Sequence, residues 1–159
     1  MVVAPKVLAP AVCLVLCAGL IGCDGEDPSD DELVREAEPF VDGVAKDTEG
    51  DAFRIVLNSR DGALDVGENL LVVRVGFHDP NAPLEPGIGI PGAKVSMLAW
   101  MPLDEGMIEA EVAGQYLGGG RYLLDPIELD RPGVWQLDIG VDVGVTLREN
   151  VSFAFVVEE

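Results

Sequence analysis

What this chain lacks limits the chemistry it can do. Among 159 residues there is one imidazole, His78, and there are three thiols, Cys13, Cys17 and Cys23. A single His with no recognisable Ser or Cys nucleophile motif does not make a catalytic triad. Carboxylates are abundant: 29 Asp plus Glu stand against ten Lys plus Arg, a formal charge of −19. In so acidic a chain a pair of carboxylates says nothing specific about glycoside hydrolysis. The acids from Asp24 to Asp31 do not form a calcium loop either, because the D-x-D-x-D-G spacing with Glu at the twelfth position is missing. Nucleic acid is excluded as a partner, since phosphate binding needs a basic patch and none is present. The residue types point to a protein that binds rather than catalyses.

All three thiols fall within the first 23 residues. After Lys6 comes an uncharged run of sixteen residues, 7–22, rich in Leu, Val and Ala. One basic residue ahead of a short apolar segment is the pattern of a secretory signal peptide. Sixteen residues also fall short of the roughly 20 that a membrane span requires. The run closes on Leu20-Ile21-Gly22-Cys23, which resembles the bacterial lipobox. That resemblance implies cleavage between Gly22 and Cys23 and fatty acylation of Cys23, on the thiol and on the new amino terminus. Residues 1–22 then form a lipoprotein signal peptide, and Cys23 anchors the chain to a membrane. Two or more acyl chains hold stably where one does not. The expected location is the bacterial cell envelope, facing the periplasm, and Asp24 after the anchor resembles an inner-membrane retention signal. Cys13 and Cys17 leave with the signal, so the exported chain has no thiol for a disulfide and must rely on its core.

The elements that follow divide in two. Residues 23–51 hold twelve acids and two bases, Arg35 and Lys46, with few large apolar groups. Such a stretch reads as a self-repelling flexible tether. From Ala52 to the end the pattern changes to period two, the signature of half-buried strands. Phe53, Ile55 and Leu57 alternate with polar neighbours, as do Leu71, Val73, Val75 and Phe77. Val95, Met97, Ala99 and Met101 share one face of a third strand. Trp135, Leu137, Ile139 and Val141 make another, and Val151, Phe153, Phe155 and Val157 a closing one. Turn signals separate them: Asp61-Gly62, Asp79-Pro80-Asn81, Pro91-Gly92, Gly118-Gly119-Gly120 and Pro132-Gly133. Nineteen Gly and eleven Pro are too many for a helical bundle. No helical pattern of 10–15 residues separates the strands, which excludes a parallel α/β sheet. The expected fold over 52–159 is all-β, an antiparallel two-sheet sandwich of about seven strands.

The order of motifs resembles the YtkA-like or FixH-like domain, a small immunoglobulin-like module of bacterial envelopes. Leu70-Leu-Val-Val-Arg-Val75, Ile90-Pro-Gly-Ala-Lys-Val95 and Trp100-Met-Pro102 carry the resemblance. Gly118-Gly-Gly-Arg-Tyr122, Pro132-Gly-Val-Trp-Gln-Leu137 and Val151-Ser-Phe-Ala-Phe155 continue it in order. In that family the segment after Met-Pro often carries a further Met and a His, soft ligands that suit copper. Here Met101 and Pro102 match and Met107 follows, but the family's His is missing, and Asp104 and Glu105 bring hard oxygens instead. Met101, Met107 and His78 form a copper site only if the third strand pairs beside the second. Against that stands the shared face of Met97 and Met101 with Val95 and Ala99, which favours core packing. Trp135 and Tyr122 are expected in the core, the tyrosine hydroxyl reaching a backbone group.

The expected function is therefore a membrane-anchored, non-enzymatic lipoprotein whose sandwich binds an envelope partner, with no cofactor required. A copper-binding or copper-delivery accessory protein is the alternative. The proline-rich loop 79–92 and the segment 101–107 are the surfaces available for binding.

Overall fold

The computed structural model describes residues 35–102 and 108–158. The signal segment, Gly22 and Cys23 lie outside the described residues, and so does Met107. No helix among the described residues is long and apolar enough to cross a membrane.

Ten strands are present among the described residues, where the periodicity implies about seven. In chain order they are β1 (Glu38–Pro39), β2 (Val44–Asp47), β3 (Phe53–Ser59), β4 (Gly67–Phe77) and β5 (Lys94–Trp100). They continue with β6 (Ile108–Ala113), β7 (Gln115–Gly118), β8 (Arg121–Leu129), β9 (Gly133–Val143) and β10 (Leu147–Val157). One sheet has the order β1-β10-β9-β5-β6 and the other β2-β3-β4-β8-β7. Every pairing is antiparallel except that of β1 with β10. Within this frame β3-β4-β8-β7 faces β10-β9-β5, the seven-strand arrangement of an immunoglobulin-like sandwich. The additional strands belong to two segments that cross from one sheet to the other. β1 and β2 close one side, and β6 and β7 close the other, with the change of sheet at Gly114.

The first of these crossings corrects the expected boundary at residue 52. β2 pairs with β3 from Val44 against Leu57 to Asp47 against Arg54, and Phe40 and Thr48 are buried. The acidic composition hid this because the segment needs few apolar groups. Phe40 packs edge-on against Phe155, their ring centroids 5.2 Å apart. The Lys46 ammonium donates to the Ser152 carbonyl at 3.0 Å and lies over the Phe153 ring. The Glu49 amide reaches the Asn150 carbonyl at 3.0 Å. Together with β1 these contacts cover the edge of β10, which would otherwise offer unpaired backbone to another strand.

The core lies between the sheets and follows the alternation read from the sequence. Phe53, Ile55 and Leu57 are fully buried, as are Leu71, Val73 and Val75 on β4. Trp135 is fully buried on β9, with its Nε1 donating to the Arg131 carbonyl at 3.0 Å. β8 escapes a simple period-two search because its phase changes midway. Tyr122 and Leu124 face inward, then Ile127 and Leu129, with the shift at Asp125-Pro126. Opposite it, β4 carries an irregularity between Asn69 and Leu71 that absorbs the extra residue.

Candidate functional site

Residues 78–93 connect β4 to β5, and the backbone of β4 holds them in place. β8 begins at Arg121, opposite Arg74, and beyond that pair the connection takes over the pairing of β4. The Ile90 amide donates to the Val75 carbonyl at 3.0 Å, and the Phe77 amide to the Ile88 carbonyl at 3.1 Å. Gly76 and Gly89 form an antiparallel bridge between these bonds. The approach is possible because Gly76 has no side chain: the Pro86 carbonyl occupies the place a Cβ would take. Gly120 meets the same requirement from the other side, with φ +75° and its missing Cβ directed at Gly89 and Ile90. The turn within the loop is built by Asp79, whose Oδ1 accepts from the Asn81 amide at 2.9 Å and whose carbonyl accepts from the Ala82 amide at 2.9 Å.

Tyr122 fastens the far end of the loop. Its hydroxyl donates to the Ile90 carbonyl at 2.8 Å and accepts from the Ala93 amide at 2.9 Å. Burial pushes the pKa of this phenol above its ordinary value, the Ala93 bond partly offsetting the effect. This is the expected backbone contact of a core tyrosine, and its partners are in the long loop.

Between the loop and the sheet lies a groove of about 600 Å³, lined by Arg74, Phe77, His78, Asp79, Glu85 and Ile88 among others. Arg74 donates from Nη2 to the Gly87 carbonyl at 2.9 Å, while its buried Nε has no hydrogen-bond partner. At and beside the groove apolar groups face solvent. Leu84 is 89% exposed and Ile88 80%, and the Phe77 ring at the strand end is 52% exposed. Exposed apolar side chains grouped on one stiff loop are the usual mark of a contact surface.

His78 sits at the rim of this groove, its side chain 16% exposed. Its Nδ1 lies 3.0 Å from Asp47 Oδ1 yet is out of line for a hydrogen bond, so the contact is one of charge only when the ring is protonated. Asp47 is already held by Arg54, whose Nη1 bonds both carboxylate oxygens at 3.0 and 2.9 Å.

Met101 is elsewhere. β5 belongs to the other sheet and pairs with β6 and β9, not with β4 as a site shared with His78 requires. Lys94 starts β5 beside Asp142, near the end of the sandwich where the loop docks, and Trp100 finishes it beside Gln136. Met101 follows at the opposite end, partly buried against the core, with its methyl where a side chain on Gly133 would go. At about 3.3 Å per strand residue the two ends are roughly 20 Å apart. Met97 is buried in the core, as its shared face with Val95 and Ala99 implies. Among the described residues no group of three or more His, Cys, Asp or Glu side chains is arranged to hold a metal ion.

Arg74, Glu85 and the docking role of Gly76 have no signal in the sequence, because they depend on where the loop folds back. In comparison with known proteins, the chain matches no family model, no curated protein and no solved structure.

Proposed function

We propose that this chain is a lipid-anchored lipoprotein of the bacterial cell envelope whose sandwich is a non-enzymatic module that binds a partner protein through the 78–93 loop. The observation that carries the proposal is the loop itself, fixed to β4 by backbone bonds while Leu84 and Ile88 stand in solvent. A surface already ordered before binding loses little conformational entropy when a partner arrives. The lipobox-like Leu20-Ile21-Gly22-Cys23 supports the anchor, and the resemblance to the YtkA-like and FixH-like domains supports the envelope setting. The acidic surface favours a partner with basic groups around an apolar centre, since opposite charge speeds encounter and like charge suppresses it.

The test is in-cell crosslinking of the full chain, followed by the double variant Leu84→Glu, Ile88→Glu. Both side chains are exposed, so the fold should survive, and the melting temperature serves as the control. A crosslinked envelope protein that disappears with the double variant supports the reading. A partner retained in full by the variant would show that the loop is not the contact surface.

A further inference from the structure

Several charged side chains of the sandwich are satisfied where they stand. Asp138 on β9 accepts from Trp100 Nε1 at 2.7 Å, Gln136 Nε2 at 2.8 Å and Ser152 Oγ at 2.6 Å. Arg54 holds Asp47, and Arg148 holds Asp142 through Nε at 2.6 Å. The groove between the 78–93 loop and β4 is different. Arg74 and Glu85 both line it, and among the described residues neither forms an ion pair. Three buried side-chain atoms among the described residues lack a hydrogen-bond partner, and two of them, Arg74 Nε and His78 Nδ1, belong to this lining.

The two opposite charges are anchored independently of each other. The Arg74 guanidinium is tied through Nη2 to the Gly87 carbonyl at 2.9 Å, and its Nη1 makes no hydrogen bond. Glu85 stands two residues before Gly87, its amide bonded to the Ala82 carbonyl at 2.9 Å. Two residues of chain span at most about 7 Å, so both charges fall within reach of one small molecule. Of the remaining lining, Phe77, Ala82, Pro86 and Ile88 are apolar, and the Asp79 carboxylate is already engaged by Asn81.

We propose that this groove binds a free α-amino acid with an apolar side chain. Arg74 holds the α-carboxylate in charge-assisted hydrogen bonds through its unused Nη1. Glu85 holds the α-ammonium, and the ligand's side chain lies against Phe77 and Ile88. A largely apolar hollow with a few placed charged groups is the general form of a small-ligand pocket, and about 600 Å³ admits such a molecule. The pair of charges also selects. A ligand that is only an anion meets Glu85 with like charge, and one that is only a cation meets Arg74. Leu84 is not in the lining, and the proposal does not rest on the loop's binding a protein.

The test is equilibrium dialysis of the full chain in detergent with labelled L-leucine, in competition with L-leucinamide, 4-methylpentanoate and glycine. Leucinamide lacks the carboxylate, 4-methylpentanoate the ammonium, and glycine the side chain. The expected result is saturable binding of leucine, with each competitor at least about tenfold weaker. Glu85 is exposed, so Glu85→Gln should keep the fold. It should weaken leucine about tenfold and no longer discriminate leucine from 4-methylpentanoate. Arg74→Gln should abolish binding, and limited proteolysis within 79–87 shows whether the loop has kept its place. No partner protein is present, so this test succeeds or fails apart from the crosslinking. The proposal is overturned by an absence of saturable leucine binding or by any of the three competitors binding as well as leucine. A folded Glu85→Gln variant that binds leucine as the parent does would overturn it too.

Discussion

Tyr122 is where the core and the long loop are tied together by single atoms. Its one hydroxyl serves both the Ile90 carbonyl and the Ala93 amide, so Tyr122→Phe leaves two backbone groups without their partner. The expected loss is about 1–3 kcal/mol in denaturant unfolding. The hydroxyl also sets a pH dependence. Burial raises the folded-state pKa above its ordinary value of 10.0, so folding favours the protonated phenol. The stability this contributes is fully present below the unfolded pKa and is lost as pH rises through the folded one. Unfolding midpoints should therefore fall above about pH 10, and the fall should be smaller in Tyr122→Phe. Lys46 has the opposite sign. Desolvation lowers its pKa, with Glu36 partly countering, so folding disfavours its charged form, and this penalty fades as pH rises towards 10.5.

At the scale of elements, the long connection is part of one sheet because two glycines let it approach. Gly76→Val would place a branched side chain where the Pro86 carbonyl lies and so displace the loop, not the sandwich. The expected signature is faster limited proteolysis within 79–87, with a global cost of about 1–3 kcal/mol. The strand order also decides how metal could bind. His78 and Met101 lie on different sheets, at opposite ends. In a Cu(I) titration against a competing chelator, one site lost equally on His78→Ala and on Met101→Leu would contradict this separation. The expected outcome is that no single binding event depends on both residues.

At the scale of the whole molecule, the ordered sandwich starts at β1 rather than at residue 52, and this shortens the span between anchor and module. From Cys23 to Glu38 there are fifteen residues, so on the lipid-anchor reading the sandwich stands no more than about 50 Å from the acyl chains. On that reading a partner engaged by the loop is met close to the membrane. Cys23→Ala should leave the fold unchanged and move the protein from the membrane fraction to the soluble one, measured by fractionation and immunoblotting. Retention in the membrane fraction would rule out Cys23 as the anchor.

The all-β class is legible in the residue order alone, because period-two alternation leaves strands no other way to bury Phe53, Ile55 and Leu57 or Leu137, Ile139 and Val141. The same order places Trp135, Tyr122 and Met97 in the core, since large apolar groups on the inward phase have nowhere else to go. It did not show β1 and β2, whose order comes from a few long-range contacts such as Phe40 on Phe155 and Lys46 on Ser152. A composition average over an acidic stretch does not register contacts to residues a hundred positions away. β8 was hidden by its own change of phase, and the Trp100–Asp138–Ser152 network by its spread over three strands. Which side chains meet across strands is fixed by register and sheet order. Both arise on folding, which parts His78 from Met101 and joins Trp100 to Asp138.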